Sequence, residues 1–211
     1  MEKQEIRTFG RRHGKKLSER KNALMENVLP ALQSNESEPN DILEIGFGAG
    51  EHVRELAHEF SNKIIIGAEP FVNGVAALLS AICDEKNQIK SEYKNIRIWP
   101  DDVRLMFDNR KFQFSEIWIL HPDPWPKARH EKRRLLNSNF LNLLAKNLAT
   151  DGKIIIGTDH WEYYDWICEQ VSKTDLVQND SEIEIIKTRY QAKNMAHTAE
   201  PKYLVLTKKY I

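Results

Sequence analysis

From Asp41 onward the chain alternates short apolar runs with longer stretches in which apolar positions recur every three or four residues. Asp41–Ile45, Lys63–Ala68, Ile96–Trp99, Glu116–Leu120 and Lys153–Gly157 are short, rich in β-branched residues and closed by breakers, which predicts buried strands. Helices are predicted between them, over about 51–60, 73–86, 133–149 and 161–173. Five such strands interleaved with helices imply a parallel sheet covered on both faces. After residue 180 the rhythm changes. Glu182–Lys187 and Lys202–Thr207 follow one another with no helix between, which predicts an antiparallel pair closing a doubly wound α/β sheet.

The first forty residues have another character. Residues 1–21 carry eight Lys or Arg against three Glu, although the full chain balances 31 cations with 31 acids. Arg11 to Lys16 is too polar to join an apolar core, whereas Ala23–Leu32 predicts a short helix with Leu24, Val28 and Leu32 on one face. The turn-forming stretch Ser34–Asn40 reads as a linker. The chain therefore divides into a basic extension and linker over 1–40 and a main domain over 41–211.

Composition narrows the class without naming a chemistry. A length of 211 residues suits one domain with an extension, large enough to fold without disulfide staples. Cys83 and Cys168 are far apart with no Cys-x-x-Cys pair, so buried thiols are expected rather than a disulfide framework or zinc site. The seven histidines are scattered and no metal is expected. With no apolar run near membrane-spanning length and no secretory h-region, the expectation is a soluble cytoplasmic protein without a membrane partner.

Candidate chemistry begins at Leu43-Glu44-Ile45-Gly46-Phe47-Gly48-Ala49-Gly50-Glu51, where the first strand opens into a helix. Glycines at this junction allow a tight turn and a close backbone approach to a ligand beside a positive helix end. A dinucleotide fingerprint would need glycine at position 51, and Glu51 would repel a pyrophosphate. The segment instead resembles the first motif of S-adenosylmethionine-dependent methyltransferases. The second strand ends at Glu69, 23 residues after Gly46, close to the spacing at which an acid meets nucleoside ribose hydroxyls. Asp101-Asp102 follows the third strand, near the expected adenine edge.

The most specific segment follows the fourth strand: His121-Pro122-Asp123-Pro124-Trp125-Pro126-Lys127-Ala128-Arg129-His130-Glu131-Lys132-Arg133-Arg134. Residues before proline avoid the helical region, so His121, Asp123 and Trp125 are expected to be extended, in a stiff loop presenting a carboxylate and an indole. Five cations against one acid over 127–134 read as a phosphate-contacting patch, with no DNA partner implied.

On these residues the sequence resembles the bacterial tRNA (guanine-N7)-methyltransferase family, from Phe9-Gly10-Arg11-Arg12 to the C-terminal strand. The resemblance implies a Rossmann-like sheet and transfer of a methyl group from S-adenosylmethionine to N7 of a guanine in the tRNA variable loop, by a monomer or homodimer. It implies that Glu44, Glu69 and Asp101, with Gly46 and Gly48 of the loop, bind the cofactor, and that Asp123 both contacts it and is catalytic. Lys127, Asp159 and the late motif Thr188-Arg189-Tyr190-Gln191 are implied as substrate contacts. Two positions depart from the family pattern: Gln191 stands where it has glutamate, and His121 where it has an aromatic.

Guanine N7 carries a lone pair and no proton, so the main task is alignment, together with stabilising the cation that forms. Asp123 could steady that charge or accept the guanine N1–H and N2–H bonds, and Asp159 could supply the other role. Two other readings are a methyltransferase for another RNA nitrogen and a catalytically idle RNA-binding subunit.

Overall fold

Asp41–Ile45 (β1) is buried at all five positions, and this strand lies in the interior of the sheet with a parallel neighbour on each side. The computed structural model describes residues 8–33, 41–107, 112–180 and 201–209. Among the described residues the seven strands are β1, Ile65–Ala68 (β2), Ile96–Trp99 (β3), Phe114–Leu120 (β4), Leu148–Thr158 (β5), Leu176–Gln178 (β6) and Lys202–Lys208 (β7). Their order is β3-β2-β1-β4-β5-β7-β6. The first five pair in parallel, and β7 runs antiparallel to both β5 and β6. This is the expected doubly wound α/β sheet with an antiparallel end.

Period-two alternation sends neighbouring side chains into different cores. Leu43, Ile66, Ile117, Ile119, Ile154 and Ile156 join the layer beneath Ser138–Lys146 (α6) and Trp161–Val171 (α7). Ile42, Ile65, Trp118 and Ile155 face the opposite layer, under Glu19–Asn27 (α1), Glu51–Glu59 (α3) and Val72–Ile82 (α4). Two short helices, Leu29–Leu32 (α2) and Val103–Met106 (α5), complete the set among the described residues. None of the described helices is long and apolar enough to cross a membrane.

Several boundaries differ from expectation for visible reasons. Ser18 caps α1 by accepting the Lys21 amide, so the helix begins earlier than Ala23, and a separate turn starts with Leu29-Pro30. Leu24 and Leu32 are fully buried against the second core. Helix α4 ends at Ile82 because Cys83 leaves it to bridge Ile89. The predicted helix 133–149 is replaced by a 3₁₀ segment, Ala128–Arg133, and by α6, whose start is set by Asn137 accepting the Phe140 amide. Leu176–Gln178 forms the sheet edge, a strand that the pattern did not suggest. The predicted strand Glu182–Lys187 lies outside the described residues.

Candidate active site

Strand order reverses between β1 and β4, and a cleft of about 300 Å³ opens beyond the C-terminal ends there. It is built from the residues that end strands. Ile45 and Gly46 close β1, Ala68 and Glu69 close β2, and Leu120 to Asp123 leave β4.

The glycine loop has the geometry its sequence implies. Gly46 and Gly48 hold φ of 76° and 57°, which side chains beyond Cβ adopt only under strain. A Cβ on either would meet nothing within 4 Å, so the loop presents bare backbone to open space. Behind it, the Gly48 amide donates to Glu69 Oε2 at 2.7 Å and the Phe71 amide to Oε1 at 2.9 Å. Burial pushes the Glu69 carboxyl up, the two amides pull it down, and nearby Glu44 and Asp123 add to the rise. Gly74 was not singled out in the sequence, yet a side chain there would collide with the Gly48 carbonyl. Nothing in a single sequence distinguishes that glycine from any other helical glycine.

Glu44 is buried one step behind the cleft wall, where its Oε2 lies 3.0 Å from His52 Nδ1. Asp101 does not line the cleft; its Oδ1 accepts from Arg12 at 2.6 Å and from the Asp102 amide at 2.8 Å. Asp102 lines it instead, capping α5 through the Arg104 amide and gripping the Arg104 guanidinium at 2.6 Å. Burial alone would raise the Asp102 carboxyl, but bonds from Arg104 and from the Thr8 hydroxyl outweigh it and hold the group below the usual range.

The segment too polar for the core is held by polar bonds. The Val72 amide donates to the Arg12 carbonyl, the Gly14 amide donates to Asn73 Oδ1, and Asn73 Nδ2 donates to the Lys15 carbonyl. Thr8 and Phe9 thereby join the cleft wall. No hydrophobic pattern announces such docking.

The loop after β4 departs from the expected geometry. His121 and Trp125 have φ of 51° and 43°, so neither is extended. Such values cost about 1–3 kcal/mol each and persist only where surroundings over-determine them. Here the His121 amide donates to the Gly157 carbonyl at 2.7 Å. Arg134 donates to the Pro124 carbonyl at 2.9 Å, and the Arg133 guanidinium packs over the Trp125 ring at 4.9 Å. Arg134 is consequently buried, lying over Tyr163 and Trp166, and is unavailable to a phosphate. Lys127, Arg129 and Lys132 remain exposed.

Asp123 is exposed and lines the cleft. Asp159, at the end of β5, stands 3.9 Å from His121 Nδ1, and His121 lines the cleft. Burial lowers the His121 pKa, with Asp159 opposing, which favours a neutral ring at neutral pH. Thr188, Arg189, Tyr190 and Gln191 lie outside the described residues.

A cleft of this size, walled by bare glycine backbone and a buried acid at a switch point, fits a nucleoside-bearing ligand. The family model described as "Putative methyltransferase" matches residues 38–208. Among solved structures, the 16S rRNA methyltransferase KamB superposes with a TM-score of 0.57 at 11% identity, covering 85% of this chain and 92% of its own. Precorrin-6y C5,15-methyltransferase of Geobacter metallireducens gives 0.55 at 12% identity, covering 90% and 86%. At that identity the likeness is one of fold. By class, then, the chain is an S-adenosylmethionine-dependent methyltransferase. A tRNA (guanine-N(7)-)-methyltransferase of Neorickettsia sennetsu is 35% identical over 193 residues, covering 90% of this chain and 86% of its own, and one of Caulobacter vibrioides is 32% identical, covering 96% and 95%. The chain belongs to the tRNA (guanine-N(7)-)-methyltransferase family.

Proposed function

We propose that the protein transfers the methyl group of S-adenosylmethionine to N7 of a guanine in the variable loop of tRNA. The observation that carries this reading is the placement of Asp123 on a strained loop at the switch-point cleft, with Glu69 on the facing strand end. Exposed cations of 127–132 beside it would meet the nucleic-acid backbone.

Glu69, already fixed by two amides, would accept from ribose hydroxyls, and Gly46 and Gly48 would admit the ligand close to the backbone. Bound S-adenosylmethionine supplies an electrophilic methyl group on a sulfonium. No side chain needs to remove a proton, because guanine N7 is already a free lone pair. Asp123 then acts on charge: its carboxylate either offsets the positive charge gained by the purine or accepts from the guanine N1–H and N2–H edge. A neutral His121 keeps a further cation away from a sulfonium and a forming purinium.

Incubation of unmodified tRNA with methyl-labelled cofactor, followed by nucleoside digestion, tests the reading. Label is expected in 7-methylguanosine. Label in another nucleoside, or none, would overturn it.

A further inference from the structure

Trp161 opens α7 two residues after Asp159 and is 55% exposed, well beyond the 38% of Leu105, the other large apolar side chain exposed among the described residues. It is held in place while exposed. Lys202 Nζ lies 3.6 Å from the Trp161 ring centroid and 4.7 Å from that of Tyr164, so one ammonium is wedged against two aromatic rings. Lys202 is positioned by the sheet: it starts β7 and pairs with Thr158 at the end of β5. The patch therefore stands on the same sheet edge as Asp159 and the loop carrying Asp123. Strand spacing puts β7 about 10 Å from β4, two strands away.

The local charge argues against a phosphate site. Lys202 is engaged with the rings, and Glu162 and Asp165, both acids, are exposed on the same helix. What remains is a flat indole, braced by a cation, with surface open to solvent beside the candidate catalytic edge. An unpaired nucleobase has the complementary shape, and stacking on a fixed aromatic is how proteins hold splayed bases.

We propose that Trp161, braced by Lys202 and Tyr164, is a stacking platform for an unpaired base of the RNA substrate next to the methylated guanine. This rests on the tRNA reading above. The platform contributes affinity through a π face and releases no counterions.

The test is titration of unmodified tRNA onto the full-length protein and its Trp161→Ala and Trp161→Phe variants, at several salt concentrations. Cofactor titration and a melting curve accompany each variant. Trp161→Ala is expected to bind tRNA about tenfold more weakly. Its salt slope, cofactor affinity and melting temperature should match wild type, and Trp161→Phe should recover most of the loss. A wild-type affinity in Trp161→Ala, an altered salt slope, or a weaker variant that Phe fails to rescue would each overturn the platform. Failure of the wild-type protein itself to bind tRNA would overturn the substrate reading and the platform together.

Discussion

Two neighbouring acids take different work from different surroundings. Asp123 is open to the cleft, and removing its charge should affect turnover rather than folding. Asp123→Asn is expected to slow single-turnover methylation at saturating cofactor and tRNA by about 2.7–4 kcal/mol, the scale of one lost preorganised electrostatic group. Its melting curve should be unchanged, and wild-type turnover would shift the chemistry to Asp159. Asp102 is the structural counterpart, with Arg104 and Thr8 holding its carboxyl below the usual range near 3.8. A depressed folded-state value contributes stability above the ordinary value and loses it as pH falls through the folded one. Asp102→Asn should therefore cost about 1–2 kcal/mol at pH 7. That gap should narrow in melts taken as pH falls from 3.8 and close once it passes below the depressed folded-state value, where the wild-type side chain is itself protonated.

At the scale of elements, the loop after β4 shows why a charge run cannot be read as one surface. Arg134 reaches inward to the Pro124 and Trp125 carbonyls and lies over Tyr163 and Trp166, while Arg129 stays in solvent. Arg134→Ala should cost about 2–3 kcal/mol in denaturant unfolding, because bonds from a buried cation are lost. Arg129→Ala should leave unfolding within about 0.5 kcal/mol and reduce the salt slope of tRNA binding by about one. The reverse pattern would mean that the loop is built otherwise. Helix boundaries follow the same logic. Asn137 can cap α6 only because Arg134 has taken residues 127–134 into the loop, which periodicity over 133–149 does not reveal.

Across the whole molecule, the proposed function divides the sheet edge in two. In that reading the ends of β1 and β2 would hold the cofactor, and the ends of β4, β5 and β7 would face the RNA. The two sides should fail separately. Glu69→Ala is expected to weaken S-adenosylmethionine binding by about 1.5–3 kcal/mol, measured calorimetrically without tRNA, while tRNA affinity is retained. Unchanged cofactor affinity would remove Glu69 from the site.

The sequence by itself determined the five parallel strands and β7, the glycine loop, the acids after β2 and β4, and the family. These are local properties: periodicity of burial, backbone freedom at Gly46 and Gly48, and a proline-rich motif each act over a few neighbouring residues. Only the tertiary structure decided which charges remain available. It turned Asp101 toward Arg12, brought Asp102 to the cleft, buried Arg134, forced His121 and Trp125 into left-handed backbone and braced Trp161 with Lys202. Each of those outcomes depends on a partner remote in sequence or on a fold that surrounds the residue. A polar side chain has no preferred face until its partner arrives, whereas an apolar one is already committed to the core.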